Sequence, residues 1–210
     1  MKRTLRLWGA LLLLAAVAGC STVKPWVNTP LDPDRKPPEG LLVEGRDPAI
    51  LVAVTLSGGG ARAAAFGFGV LSELRKVEYG WQGKPSKLLE AADVVSGVSG
   101  GSIVAAYDAA FGAEGLPHFE HEFLRQNFQN SLILQALHPG TLVDLTSPWF
   151  GRSHLLARRL DTLYKGMTFG DVERRPRHPQ LFISATDMSQ GAEFEFTPAP
   201  FALICPAFQS

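Results

Sequence analysis

Two short apolar runs, Ile50 to Leu56 and Val94-Val95-Ser96, each end at a glycine-rich turn and then give way to residues that read as helix. Runs of that length bounded by glycine fit buried strands, so both stretches read as strand, tight turn, helix. After the first turn, Phe66, Val70, Leu74 and Val77 recur at helical spacing. That spacing predicts a helix over Ala61 to Lys76 with this face against a sheet. After the second turn, Ile103 to Phe111 reads as a helix, and its Val104-Ala105-Ala106 run implies burial on most sides. Tyr79 to Ser86 is polar and contains glycine, a predicted loop, and Leu88 to Ala92 leads into the second strand.

Further along, Leu116 to Leu137 sets Phe119, Phe123, Leu124 and Phe128 at helical spacing among charges. Such a stripe points to core packing more than to lipid contact; a mobile cap fits the same pattern. Another helix follows Ser147-Pro148-Trp149-Phe150-Gly151-Arg152, with Leu155, Leu156, Leu160 and Leu163 inward and Arg158-Arg159 outward. Leu181 to Thr186 is a β run that turns through Met188-Ser189-Gln190-Gly191 into Ala192 to Thr197. Its alternation predicts a hairpin with Phe194 and Phe196 on one face and Glu193 and Glu195 on the other.

The first residues follow another logic. Lys2, Arg3 and Arg6 precede an apolar block from Leu11 to Ala18, the basic-then-apolar order of a secretion signal and too short for a comfortable span. Val17-Ala18-Gly19-Cys20 resembles a bacterial lipobox, which implies cleavage before Cys20 and lipidation of that cysteine. Several acyl chains would hold the protein on a membrane, each buried methylene adding about 0.8 kcal/mol. Ser21, rather than aspartate, follows the cysteine, which suits the periplasmic side of the outer membrane in a bacterial envelope. Pro25, Pro30, Pro33, Pro37, Pro38 and Pro48 then punctuate a stretch with little apolar periodicity, an extended tether. The expected organisation is a signal peptide over 1–19, a lipidated tether over 20–48 and a folded domain over 49–210.

Composition narrows the field. Of 210 residues, 46% are hydrophobic and 19% charged, which supports a sizeable core and argues against wholesale disorder. Twenty basic residues balance twenty acidic ones, with no cluster able to follow a nucleic-acid backbone. Cys20 and Cys205 suit neither a disulfide framework nor a zinc site. No metal or cofactor is expected, and nothing speaks to oligomeric state.

The glycine turns carry the chemistry. Gly97-Val98-Ser99-Gly100-Gly101 is a G-x-S-x-G turn between strand and helix, which sets a serine on a strained, exposed elbow; Ser99 is the candidate nucleophile, flanked by Gly97 and Gly101. Ser57-Gly58-Gly59-Gly60-Ala61-Arg62 offers backbone N–H groups with no side chains in the way. Donors of that kind form an oxyanion hole, each worth roughly 3 kcal/mol of barrier. Arg62 would add positive charge or brace the loop.

Together, in this order and at strand-to-helix junctions, these two motifs resemble the patatin-like phospholipase family over about Leu51 to Leu203. The resemblance implies a three-layer α/β/α domain and lipid acyl hydrolysis by a Ser-Asp dyad without a catalytic histidine. It also implies Ser99 as nucleophile, and Gly58, Gly59, Gly60 and Arg62 as the oxyanion loop. Ala63 stands where the family usually has glycine, and Thr168-Phe169-Gly170-Asp171-Val172 looks like a family landmark. The implied substrate is a membrane lipid.

A serine needs a base, a contribution of roughly a hundredfold to ten-thousandfold. The family takes it from an Asp-Gly-Gly or Asp-Gly-Ala turn downstream of the hairpin, and no Asp of this sequence is followed by Gly. The expectation is therefore a domain incomplete at its C-terminus, cut as Phe201-Ala202-Leu203-Ile204 begins another strand, with hydrolysis impaired. Asp187, at a strand end, is the best-placed substitute, although such aspartates often bind loop N–H groups. His118, His121, His138, His154 and His178 fall in no signature. One alternative is a non-catalytic envelope lipoprotein that binds lipid or protein. Another is a dinucleotide site at Gly58-x-Gly60-x-x-Ala63, which wants an acidic residue closing a second strand, a place for which Glu78 has the spacing.

Overall fold

The computed structural model describes residues 51–81, 84–197 and 200. The expected signal peptide, Cys20, the tether, the boundary at Ala49 and the strand beginning at Phe201 lie outside the described residues. Two compact units are present, one of them Asn127–Leu163 and the other built from the chain before and after it.

The larger unit is α/β. Strand β1 (Ala53–Leu56) leads to helix α1 (Gly60–Leu74), a ribbon of β2 (Glu78–Trp81) and β3 (Lys84–Lys87), then a short 3-10 turn at Leu89–Ala91. Strand β4 (Val94–Val98) and helix α2 (Gly100–Phe111) follow, then a single turn α3 (Leu116–Phe119) that widens into a π-helical turn over Glu120–Leu124. Helices α4 (Phe128–Leu137), α5 (Pro139–Asp144) and α6 (Arg152–Tyr164) come next and make up the smaller unit as far as Leu163, the last residue of α6, Tyr164, belonging to the larger one. The chain then returns with α7 (Phe169–Glu173), β5 (Gln180–Asp187) and β6 (Ala192–Glu195). The main sheet runs β1-β4-β5-β6, with β1, β4 and β5 parallel and β6 antiparallel on the edge.

Asp93 ties the starts of the three parallel strands together. Its carboxylate accepts the Val52 N–H at 2.7 Å, its own N–H donates to Val52 O and its carbonyl accepts from Gln180 N. Register follows from this clamp: Thr55 lies beside Ser96 and Ser96 beside Phe182.

Helices α1 and α2 pack together over the sheet face that carries Leu56 and Gly97. The buried stripe of α1 is Ala64, Gly67 and Leu71, whereas Phe66 is 77% exposed and Val77 44%. The expected Phe66 face is thus corrected by about one helical position. The reason is space: a methyl on Gly67 would lie 3.1 Å from Val104 and 3.3 Å from Leu56, so only small residues let the helix sit this close. Helix α2 meets the expectation of burial on most sides, with Val104, Ala105, Tyr107, Asp108, Ala109 and Ala110 all buried.

Phe119 and Phe123 are core residues, as their spacing implies. Their rings stack at 5.1 Å, and Tyr107 packs on Phe119 at 5.0 Å. Tyr79 to Ser86, expected as loop, contains the β2–β3 ribbon instead. Lys84-Pro85-Ser86-Lys87 has weak β propensity, and pairing comes from the partner: Glu78 stands opposite Lys87 and Tyr79 opposite Ser86.

In the smaller unit, Asn127 caps α4 by accepting the Asn130 N–H. Leu155 and Leu163 of α6 are buried as expected, but Leu156 is 38% exposed. Arg158 points outward as far as Asp144, 2.8 Å away, and lies over the Phe150 ring. At α7, back in the larger unit, Thr168 and Asp171 form a reciprocal capping box, and these bonds with Arg174 hold the Asp171 carboxyl down at about 2.

Candidate active site

Both glycine turns leave the C-terminal ends of adjacent parallel strands, β1 and β4, where open α/β sheets place their ligand sites. Each strand ends in a bend because its next residues take angles a strand cannot continue. Gly59 has φ 142° and Gly60 φ 64°, values that glycine adopts without penalty. Ser99 has φ 51° and ψ −121°, a conformation that costs a non-glycine residue about 1–3 kcal/mol. It is exposed, directly before the first residue of α2.

The bends touch. A methyl on Gly58 would lie 3.4 Å from the Ser99 Cβ and 3.5 Å from the Val98 carbonyl oxygen. One on Gly100 would overlap the Gly60 carbonyl, and one on Gly101 would stand 2.5 Å from the Ser57 carbonyl oxygen. At Gly97 the clash would be with the Ser102 backbone, 2.5 Å from its Cα. Gly97 therefore lets α2 fold back on its own strand, while Gly100 and Gly101 let it meet the other turn. The motif named Gly97 and Gly101 but not Gly100, because that position is unspecified in G-x-S-x-G. Only the approach to Gly60 reveals its part.

Among the described residues, no turn or loop hydrogen bond uses the N–H of Gly58, Gly59, Gly60 or Gly100 as donor. These groups lie at or beside the first turns of α1 and α2, where helix geometry leaves N–H groups without intrahelical partners and gathers positive partial charge. Such a place favours an anionic oxygen. Arg62 is exposed in the first turn of α1. Helix α2 is held behind Ser99 by the Ser102 hydroxyl, which donates to Ser99 O at 2.5 Å, and by the Tyr164 hydroxyl, which donates to Ile103 O at 3.1 Å.

Asp187 is engaged elsewhere. Its Oδ1 accepts from the Ser189 hydroxyl at 2.6 Å, the Ser189 N–H at 2.8 Å and the Gln190 N–H at 3.3 Å. The Ser189 bonds chiefly hold its carboxyl below the usual range. Register agrees, since Val98 pairs with Ser184. Asp187 stands three residues further along β5, roughly 10 Å at the usual strand rise.

The histidines have local roles. The Nδ1 of His138 accepts the Gly140 N–H at the start of α5, and that of His154 accepts the Gly151 N–H while its ring stacks on Phe150. His178 has its Nδ1 3.1 Å from Pro179 O, and His118 and His121 are exposed. Glu78 opens β2 of the separate ribbon instead of closing a strand of the main sheet, so the dinucleotide fingerprint lacks its ribose partner. Among the described residues, no group of His, Cys, Asp and Glu could hold a metal ion.

A family model described as patatin-like phospholipase matches residues 54–204. No curated protein and no solved structure gives a significant match.

Proposed function

Because the chain belongs to the patatin-like phospholipase family, a family of lipid acyl hydrolases, we propose that its glycine turns form a serine acyl-hydrolase site. In this reading Ser99 attacks the ester carbonyl of a membrane lipid. The N–H groups of Gly58, Gly59 and Gly60, with Arg62 beside them, stabilise the oxyanion. The observation that carries it is the close approach of the Gly58 bend to the Ser99 elbow, where a methyl on Gly58 would lie 3.4 Å from the Ser99 Cβ, next to glycine N–H groups that, among the described residues, no turn or loop hydrogen bond uses.

The family's base is an aspartate followed by glycine, and none of the 210 residues provides that pair. The oxyanion site and binding by themselves supply roughly 10³–10⁴-fold over water in serine hydrolases stripped of a triad member, which sets the turnover expected of Ser99 and the glycine turns acting without a base. No cofactor takes part. The same reading makes the protein a lipoprotein of the outer membrane's periplasmic side, anchored through Cys20, and radiolabelled palmitate incorporation lost in Cys20→Ala tests that part. For catalysis, the purified chain is assayed on a short p-nitrophenyl ester. Ser99→Ala is expected to fall to the uncatalysed background; a variant that matches the parent at a measurable rate removes Ser99 from the mechanism.

A further inference from the structure

Helix α4 is apolar at Phe128, Leu132, Ile133, Leu134, Ala136 and Leu137, yet none of its residues is buried. A surface helix ordinarily turns its apolar stripe to the core and its charges to water. Helix α4 has no charged residue, and from Gln126 to Val143 there is no Asp, Glu, Lys or Arg. Leu134 is 69% exposed, Leu137 62%, Val143 of α5 67% and Trp149 54%. Ile133, Leu134 and Leu137 fall within about one turn and so share a face. Exposed apolar residues concentrated on two helices that contact each other mark an interaction site rather than the scattered leucines of an ordinary surface.

The chemistry around it indicates what covers it. A protein partner usually meets a polar rim around an apolar centre, whereas this unit offers a long uncharged stretch that ends at Asp144 and is followed by the exposed Trp149, a residue type that favours the headgroup level of a bilayer. Asp144, which ends α5, is paired with Arg158. The unit carries Arg152, Arg158 and Arg159 against Asp144 and Asp161, a net positive sign that suits anionic headgroups. Outside the described residues, the chain from Cys20 to Pro48 has the composition of a tether starting at a lipobox-like cysteine.

We propose that the α4–α5 face, with Trp149, is the surface by which this protein rests on a lipid bilayer. Its leucines enter the boundary between headgroups and acyl chains. This inference rests on the reading of a membrane-lipid substrate and a lipidated Cys20, and it gives the smaller unit a task distinct from the chemistry at Ser99.

The test uses the full chain with Cys20→Ala and Cys205→Ser, so that neither the anchor nor a second thiol interferes. A single cysteine at Leu134→Cys, or at Glu73→Cys on α1 as control, carries an environment-sensitive nitrobenzoxadiazole label. Vesicles of phosphatidylethanolamine and phosphatidylglycerol are then added. Emission from position 134 is expected to shift to the blue and to be quenched by brominated acyl chains, while position 73 stays as in water. Adding Leu137→Asp and Val143→Asp is expected to raise the lipid concentration needed at least about tenfold, since burying a single leucine or valine side chain favours binding by roughly one factor of ten or more. No change at position 134 while the chain sediments with vesicles overturns the proposal. So does a blue shift that grows with protein concentration before lipid is added, which would make a second copy the occupant. Ser99→Ala in the same background separates the two readings: the shift persisting without ester turnover supports docking alone, and Ser99-dependent turnover without the shift supports catalysis alone.

Discussion

Replacing Asp108 by asparagine tests how the helix behind Ser99 is stabilised. Asp108 is 3% exposed in α2, its Oδ1 has no hydrogen-bond partner, and burial pushes its carboxyl up to about 6 although the Arg175 charge pulls the other way. Arg175, just past the end of α7, meanwhile donates to the Ala109 carbonyl and so ties that segment to α2. Against an unfolded carboxyl of 3.8, folding raises proton affinity by about two units, or ~3 kcal/mol at 1.36 kcal/mol per unit. A group whose folded value is raised contributes stability below its unfolded value and loses it as pH rises through the folded one. Stability should therefore decline between about pH 4 and pH 6 and then level off. Asp108→Asn removes the ionisation while keeping the shape. It is expected to be more stable than the parent by up to ~3 kcal/mol near pH 8, with the gap closing towards pH 4. Urea unfolding of both chains across that range, followed by intrinsic fluorescence, reads the gap directly. Parallel stability curves would show that the carboxyl is not held away from water in solution, and the account of α2 would fail.

Two other substitutions separate geometry from chemistry. Gly100→Ala forces a methyl into the Gly60 backbone, so the bends must part; a displacement near 1 Å is expected to lower Ser99-dependent turnover by about 10²-fold, measured beside thermal unfolding, and unchanged turnover would mean that the bends need not touch. Asp187→Asn weakens only the hairpin turn and should leave turnover nearly intact, whereas a loss of about 10²-fold or more would reveal it as the base. Its depressed carboxyl stabilises the turn above its unfolded value and loses that contribution as pH falls. Acid should thus loosen the parent's turn and leave that of the asparagine variant unchanged, which hydrogen exchange at Gln190 can follow.

The two strand-turn-helix units, the hairpin and the aromatic core stripe were legible in the residues, because apolar runs and i, i+4 spacing are local properties of the chain. Ser99 and Gly58 to Gly60 could be singled out for the same reason: a bend that excludes side chains announces itself as glycine. What local pattern could not supply was set by neighbours. Phe66 faces outward because α1 and α2 approach too closely for anything larger than Gly67 between them, and Lys84–Lys87 becomes strand only because Glu78–Trp81 lies opposite. Asp187 reads as a candidate base by type and position, yet three donors from its own turn claim it. The residues alone determined that two side-chain-free bends follow two strands. Only the parallel pairing of β1 with β4, which sets Leu56 beside Gly97, brought those bends together, since the meeting of segments far apart in the chain depends on which strands pair and in what register.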